Sequence, residues 1–139
     1  MRYFDANALA KRYVREKDSP RIRRLLSADV PATSRLSAVE IVSALMRRSR
    51  EGTLSDKNRD RTLAVLDGDM AAMLIVELTP EIVRRAQGIL GRYPLRAGDA
   101  IQLASCLVLQ EELKEETVSF VAFDARLVAA AAAEGLTLE

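Results

Sequence analysis

This 139-residue chain contains no histidine and a single cysteine, Cys106. Ser/His and Cys/His nucleophilic pairs, histidine acid–base chemistry, His-ligated zinc and thiolate metal sites are therefore all excluded. Carboxylates remain the main means of catalysis, and four of the twenty acids stand apart. Asp5 directly follows the short apolar run Arg2-Tyr3-Phe4, and Asp124 directly follows Val118-Ser119-Phe120-Val121-Ala122-Phe123. Asp99 leads a helical segment whose apolar residues run almost all the way round: Ala100, Ile101, Leu103, Ala104, Cys106, Leu107 and Val108. Glu40 lies among apolar neighbours in Ser37-Ala38-Val39-Glu40-Ile41-Val42. Each has an ordinary alternative. Asp5, Asp99 and Asp124 suit helix N-caps, and Glu40 shares a stripe with Ser43 and Arg47 that suits a solvated face. Crowded together at one sheet end, however, such carboxylates repel unless a cation holds them, and oxygen-only ligands suit Mg2+ or Mn2+. Magnesium keeps several waters and needs only one or two direct carboxylates, which leaves the other acids for proton transfer or outer contacts. Metal-assisted hydrolysis of a phosphodiester is the chemistry that fits.

The elements that must position these acids follow from periodicity and caps. Strands are expected at Arg2-Tyr3-Phe4, at Leu74-Ile75-Val76-Glu77-Leu78 and at 118–123, with an extended or strand segment at Val30-Pro31-Ala32-Thr33 and an edge strand at Leu136-Thr137-Leu138. Between them, helical spacing places Leu9, Tyr13 and Val14 on one side of a first helix. Ser19-Pro20 and Thr79-Pro80 read as a cap followed by proline in the first turn. Further helices are expected from Leu36 to Glu51 with Gly52 at the stop, from a Ser55 cap to about Ala72, from about Ala97 to Glu115, and up to Glu134 with Gly135 at the stop. Strands separated by helices imply a single domain over 1–139: a three-layer α/β/α fold, its parallel sheet of four or five strands carrying helices on both faces. Ligand sites in such folds lie beyond the carboxyl ends of the strands, where Asp5 and Asp124 are expected to point.

Composition sets the remaining bounds. Apolar residues make up 49% and charged residues 29%, the balance of a soluble globular protein. No apolar run is long enough to span a membrane and no secretory pattern opens the chain, so a reducing, cytoplasmic setting is expected. The net charge of +1 predicts no bulk attraction to polyanions, yet residues 1–70 carry 15 basic against 10 acidic side chains while residues 71–139 carry 6 against 10. Seventeen of the 21 basic residues are arginine, the side chain suited to bidentate phosphate contacts. Arg96 and Arg126 lie nearest the acids in sequence, followed by the clusters Arg47, Arg48, Arg50 and Lys57, Arg59, Arg61. With three Tyr, three Phe and no Trp, no platform for base stacking is evident.

Four segments occur in order along the chain: Tyr3-Phe4-Asp5-Ala6-Asn7-Ala8-Leu9, Ser37-Ala38-Val39-Glu40-Ile41, Leu95-Arg96-Ala97-Gly98-Asp99-Ala100 and Phe120-Val121-Ala122-Phe123-Asp124-Ala125-Arg126-Leu127. Together they resemble the PIN domain, specifically the VapC-type toxins of toxin–antitoxin modules, and the length suits a free-standing toxin. The resemblance implies a Mg2+- or Mn2+-dependent endoribonuclease in which Asp5 and Asp99 hold the metal and Glu40 and Asp124 complete an acidic quartet. It also implies an RNA substrate, a cognate antitoxin covering the active site, and a homodimer; helices at 20–28 and 36–51 carry enough apolar surface for a groove. Two positions depart from the family pattern. Asn7 stands where a hydroxyl residue is common, and its amide can still bond a metal water or a phosphate. Ala122 stands where another hydroxyl is frequent and has no such capacity.

Other readings make different demands. A PIN-like module that only binds RNA or protein would retain the fold with impaired catalysis, and the departures at Asn7 and Ala122 are compatible with it. A haloacid-dehalogenase-like phosphatase would need a second acid where Asn7 stands. A phosphoacceptor receiver would need a lysine near the end, and Lys114, the only lysine in the second half, is poorly placed.

Overall fold

Strand β1 (Arg2–Phe4) shows how the layers arise. Alternate side chains of a strand point to opposite faces, and both Tyr3 and Phe4 are completely buried, so each face of the sheet must be covered. In the computed structural model, which describes residues 1–139, both faces are. Tyr3 packs with the helices of the second half, stacked on Phe120 at 5.8 Å between ring centroids. Phe4 packs with those of the first half.

The elements that follow β1 are α1 (Ala6–Ala10), α2 (Ser19–Ala28), β2 (Pro31–Ser34), α3 (Ser37–Arg50), α4 (Asp56–Ala71), β3 (Leu74–Val76), α5 (Pro80–Arg92), α6 (Ala97–Leu113), β4 (Ser119–Val121), α7 (Ala125–Ala133) and β5 (Thr137–Leu138). The strands form one sheet in the order β3-β2-β1-β4-β5, and every pairing is parallel. The expected three-layer α/β/α architecture is therefore present, with five strands. From β1 the chain proceeds to one side through β2 and β3, then returns to the other side through β4 and β5. The boundary between β1 and β4 is thus the switch point, where parallel sheets open a crevice at their carboxyl ends.

Helix α6 lies in the middle of one layer, as its apolar circumference requires. Every residue from Gln102 to Leu109 is buried, and so is Ala100. Ile82, Ala86 and Ile89 form the inner stripe of α5 against it, and each buried isoleucine contributes about 1.5–3 kcal/mol relative to exposure. Cys106 is core, and burial pushes its thiol well above the usual range. Opposite, Ile22, Leu25, Ile41, Leu45, Leu66 and Met70 form the second core around Phe4 and Val121.

Local signals mostly behave as expected. Ser55 accepts from Asn58 N–H and Thr79 from Ile82 N–H as N-caps, and Gly52 and Gly135 end their helices at φ of 75° and 85°. Three features differ from expectation. The first helix stops at Ala10 instead of reaching Tyr13, whose hydroxyl donates to Asp69 on α4 while Arg12 pairs with the same carboxylate. Ser19 is the first residue of α2 rather than its cap. It is buried, donates to Val14 O at 2.7 Å and accepts from Glu16 N–H, tying down the α1–α2 loop. The strand β4 ends at Val121, so Asp124 is not the first residue beyond it. The sheet pairing ends there, and Asp124 serves instead as the N-cap of α7.

Candidate active site

Asp5 continues the β1–β4 ladder by one residue, its N–H donating to Val121 O at 3.1 Å, and then the chain turns into α1. Its carboxylate caps that helix by accepting from Ala8 N–H at 2.7 Å through Oδ1. The cap fixes the side chain at the switch point and leaves Oδ2 without a hydrogen bond. Asp124 is held in the same way across the crevice: Oδ1 accepts from Arg126 N–H and Leu127 N–H, each at 3.0 Å. For these two acids the capping and functional readings are compatible, because one oxygen caps while the other remains available. Asp99 is not a cap. It is the third residue of α6, in the first turn, where the helix dipole favours a carboxylate by roughly 0.3–1 kcal/mol.

Glu40 does not face open solvent. It is half-buried, and its Oε2 accepts from Gln102 Nε2 at 2.7 Å. Gln102, which no sequence motif marks, joins the site to the core. Its Nε2 also donates to Ser37 Oγ at 2.9 Å, and its Oε1 accepts from the Tyr3 hydroxyl at 2.7 Å. Ser37 in turn meets Thr33 Oγ1 at 2.7 Å, and Thr33 donates to Phe4 O. A buried polar chain thus runs from the first strand to Glu40. The available signal was a glutamine inside an otherwise apolar helix, which demands partners when buried.

The four carboxylates sense one another. Burial raises the Asp5 carboxyl from 3.8 to about 7, with Asp99, Glu40 and Asp124 adding to the effect. Burial also raises Glu40, helped by Asp99 and opposed by the Gln102 bond. Asp99 is raised by burial and then by Asp124. None of the four takes part in an ion pair, whereas Arg2, Arg12, Arg35, Arg48, Arg59, Arg85 and Arg92 are each paired with another carboxylate. A cleft of about 590 Å³ opens above them, walled by Glu40, Asp99 and Asp124 together with Asn7, Arg96 and Arg126. Asp5, only 1% exposed, lies beneath and is not part of that wall. Ser43 and Arg47, both exposed, also face the cleft, so the solvated stripe they share with Glu40 forms one of its walls.

The donor set suits a hard cation: oxygen atoms only, two of them anchored on backbone caps, and a negative charge that no ion pair neutralises, with only Arg96 acting on Asp99 from the cleft wall. No three acidic side chains converge closely enough to clasp one ion together. An ion that keeps most of its own waters needs only one or two direct carboxylates, so the set need not close around it.

Close packing explains one glycine. A Cβ at Gly98 would overlap Glu40 Oε1. Gly98→Ala is expected to leave thermal stability nearly unchanged, since alanine favours the helix and only a side-chain end must yield. It should lower activity by turning the Glu40 carboxylate away. A melting curve alongside a cleavage assay checks this, and a variant with full activity would show that Glu40 needs no fixed position.

Comparison with known proteins agrees along the whole chain. The sequence profile of the PIN domain matches residues 2–133. Ribonuclease VapC47 of Mycobacterium tuberculosis (strain CDC 1551 / Oshkosh) is 32% identical over 133 residues, covering 92% of this chain and 88% of that protein. Among solved structures, Mycobacterium tuberculosis VapC20, described as a sarcin-ricin loop cleaving toxin, superposes with a TM-score of 0.69 at 18% identity over 94% of this chain and 95% of that one. A toxin-antitoxin complex from Klebsiella pneumoniae gives 0.62 at 17% identity over 93% and 91%.

Proposed function

The chain belongs to the PIN domain family, and from that premise we propose that it is a VapC-type endoribonuclease, the toxin of a toxin–antitoxin pair, dependent on Mg2+ or Mn2+. The observation that supports this best is the unpaired acidic quartet Asp5, Glu40, Asp99 and Asp124 gathered at the β1–β4 switch point. The likeness to a ribonuclease at 32% identity supports the same reaction.

Asp5 and Asp99 would hold the ion. When bound, it would supply an activated water and stabilise charge on the phosphoryl group. The protein's own residues do the rest. Glu40, raised by burial and pinned by Gln102, is suited to take up a proton released in the cleft. Asp124 holds its free oxygen toward the cleft through its cap. Arg96 and Arg126, exposed on the cleft wall, offset the repulsion between RNA phosphates and the acids, and Asn7 offers an amide to a phosphate or a metal water. Asn7 thus stands in for the family's hydroxyl by position, while Ala122 packs against the core and contributes nothing polar.

A cognate antitoxin that covers this cleft, a toxin homodimer and action in the cytoplasm belong to the same reading. No helix is long and apolar enough to cross a membrane.

The test is cleavage of total cellular RNA by antitoxin-free protein with Mg2+ or Mn2+, with the cut sites mapped. Cleavage should stop with chelator and fall by roughly a hundredfold or more in Asp99→Asn. Protein that cuts no RNA with metal present would sink the reading.

A further inference from the structure

We propose that an arginine-lined cavity between the α1–α2 loop, α2, α3 and α4 binds a backbone phosphate of the RNA substrate, more than one nucleotide from the bond that is cut. The inference rests on the ribonuclease reading above. The cavity, of about 410 Å³, is walled by four guanidinium groups, those of Arg15, Arg23, Arg48 and Arg61, with Asn58 and Thr62 beside them and no acidic residue. Two of the four are held in place. Arg23 donates to Arg12 O through Nε and Nη2, and Arg48 pairs with Glu16. Arg15 and Arg61 are exposed and make no ion pair or hydrogen bond within the chain. Arg12, Arg35, Arg59, Arg85 and Arg92 are paired with carboxylates, whereas Arg15 and Arg61 share their unpaired state with Arg47 and with other arginines of the surface. Glu16 offsets Arg48, which leaves three like charges around one concavity to repel one another, and the guanidinium fork matches phosphate oxygens.

Continuity with the cleavage site points to RNA rather than to a free anion or an acidic protein segment. A smaller pocket lies between the two. It shares Asn7, Ala44, Arg47 and Asp124 with the acidic cleft, and Val14 and Arg48 with the arginine cavity. One groove therefore runs along α3 from Glu40 to Arg48, two helical turns or about 12 Å, with Arg47 on the way. A strand lying in it would pass from the acids, where a phosphate needs neutralising, to the arginines, where one is attracted.

The experiment uses fluorescein-labelled single-stranded RNA of a dozen nucleotides and a labelled trinucleotide, with binding to the full chain carrying Asp99→Asn measured by anisotropy over a salt series. Adding Arg15→Ala and Arg61→Ala should weaken binding of the longer RNA about tenfold at moderate salt and make its log–log salt slope shallower by about 1.4, the value for two lost phosphate contacts on a single strand. Trinucleotide binding should change less than twofold. Arg61→Glu alone should weaken the longer RNA further than Arg61→Ala. Unchanged binding and slope, or equal weakening of both RNAs, would overturn the proposal. So would loss of poly-aspartate binding with RNA binding intact, which would assign the cavity to an acidic protein segment. Failure of the cleavage assay with these binding effects present would count against the ribonuclease reading and leave the cavity's assignment standing.

Discussion

Asp5→Asn should abolish RNA cleavage and, at the same time, make the metal-free protein more stable at neutral pH. The folded protein holds the Asp5 carboxyl at about 7, against 3.8 for a free side chain, so folding favours its protonated form. The favourable contribution of this group is complete below about pH 4 and is lost as pH rises through 7. Moving a carboxyl that far corresponds to roughly 4 kcal/mol at the upper end. Asparagine keeps the Oδ1 acceptor for Ala8 N–H, so the cap of α1 survives while the buried charge disappears. Denaturant melts of metal-free wild type and Asp5→Asn should coincide near pH 4, diverge progressively between about pH 4 and 7 in favour of the variant, and stay apart by a constant margin above that. Added Mn2+ should stabilise wild type alone, and more strongly at higher pH, because the ion competes with protons for the same oxygens. A variant less stable than wild type at pH 8 without metal would mean that the fold itself compensates the Asp5 charge.

The second large effect is expected at Gln102→Leu, a buried residue that bonds Glu40 but does not line the cleft. Leucine fills a similar volume on α6 but leaves the fully buried Tyr3 hydroxyl without its acceptor, and Ser37 Oγ and Glu40 Oε2 without a donor. Each stranded group costs about 1–3 kcal/mol. A combined loss of about 3 kcal/mol lowers Tm by roughly 10 °C in a domain of this size. Activity should fall with it, because Glu40 loses the bond that fixes it and that opposes its raised pKa. Glu40→Gln is the matching control. Its amide oxygen can still accept from Gln102, so Tm should hold while cleavage is lost. A Gln102→Leu protein with unchanged Tm would show that the network contributes no net stability.

These two predictions differ in how far the sequence could have anticipated them. Asp5, Glu40, Asp99 and Asp124 were legible because the chain offers so little else for chemistry, and because each acid interrupts an apolar pattern that has to continue into a core. The parallel sheet was legible for a related reason: short apolar strands alternating with capped helices leave few ways to bury both faces of Tyr3-Phe4. Ser43 and Arg47 show where this reading stops. Their spacing from Glu40 is correct for one helix face, but a solvated cleft wall and an open solvated face have the same periodicity. Only the helix packed opposite decides between them.

Residue types and local spacing by themselves therefore determined which groups could act and which elements carry them, since caps, turns and strand alternation are short-range effects. Tertiary structure alone decided the rest. Asp124 caps α7 three residues beyond its strand because the pairing of β4 ends at Val121. Gln102 becomes the support of Glu40 because α6 packs on β2 and its glutamine reaches Tyr3 of β1. The arginines scattered through the first half divide into paired and unpaired sets only when the helices assemble. Charge and burial depend on neighbours distant in the chain, and those are fixed by how the layers pack.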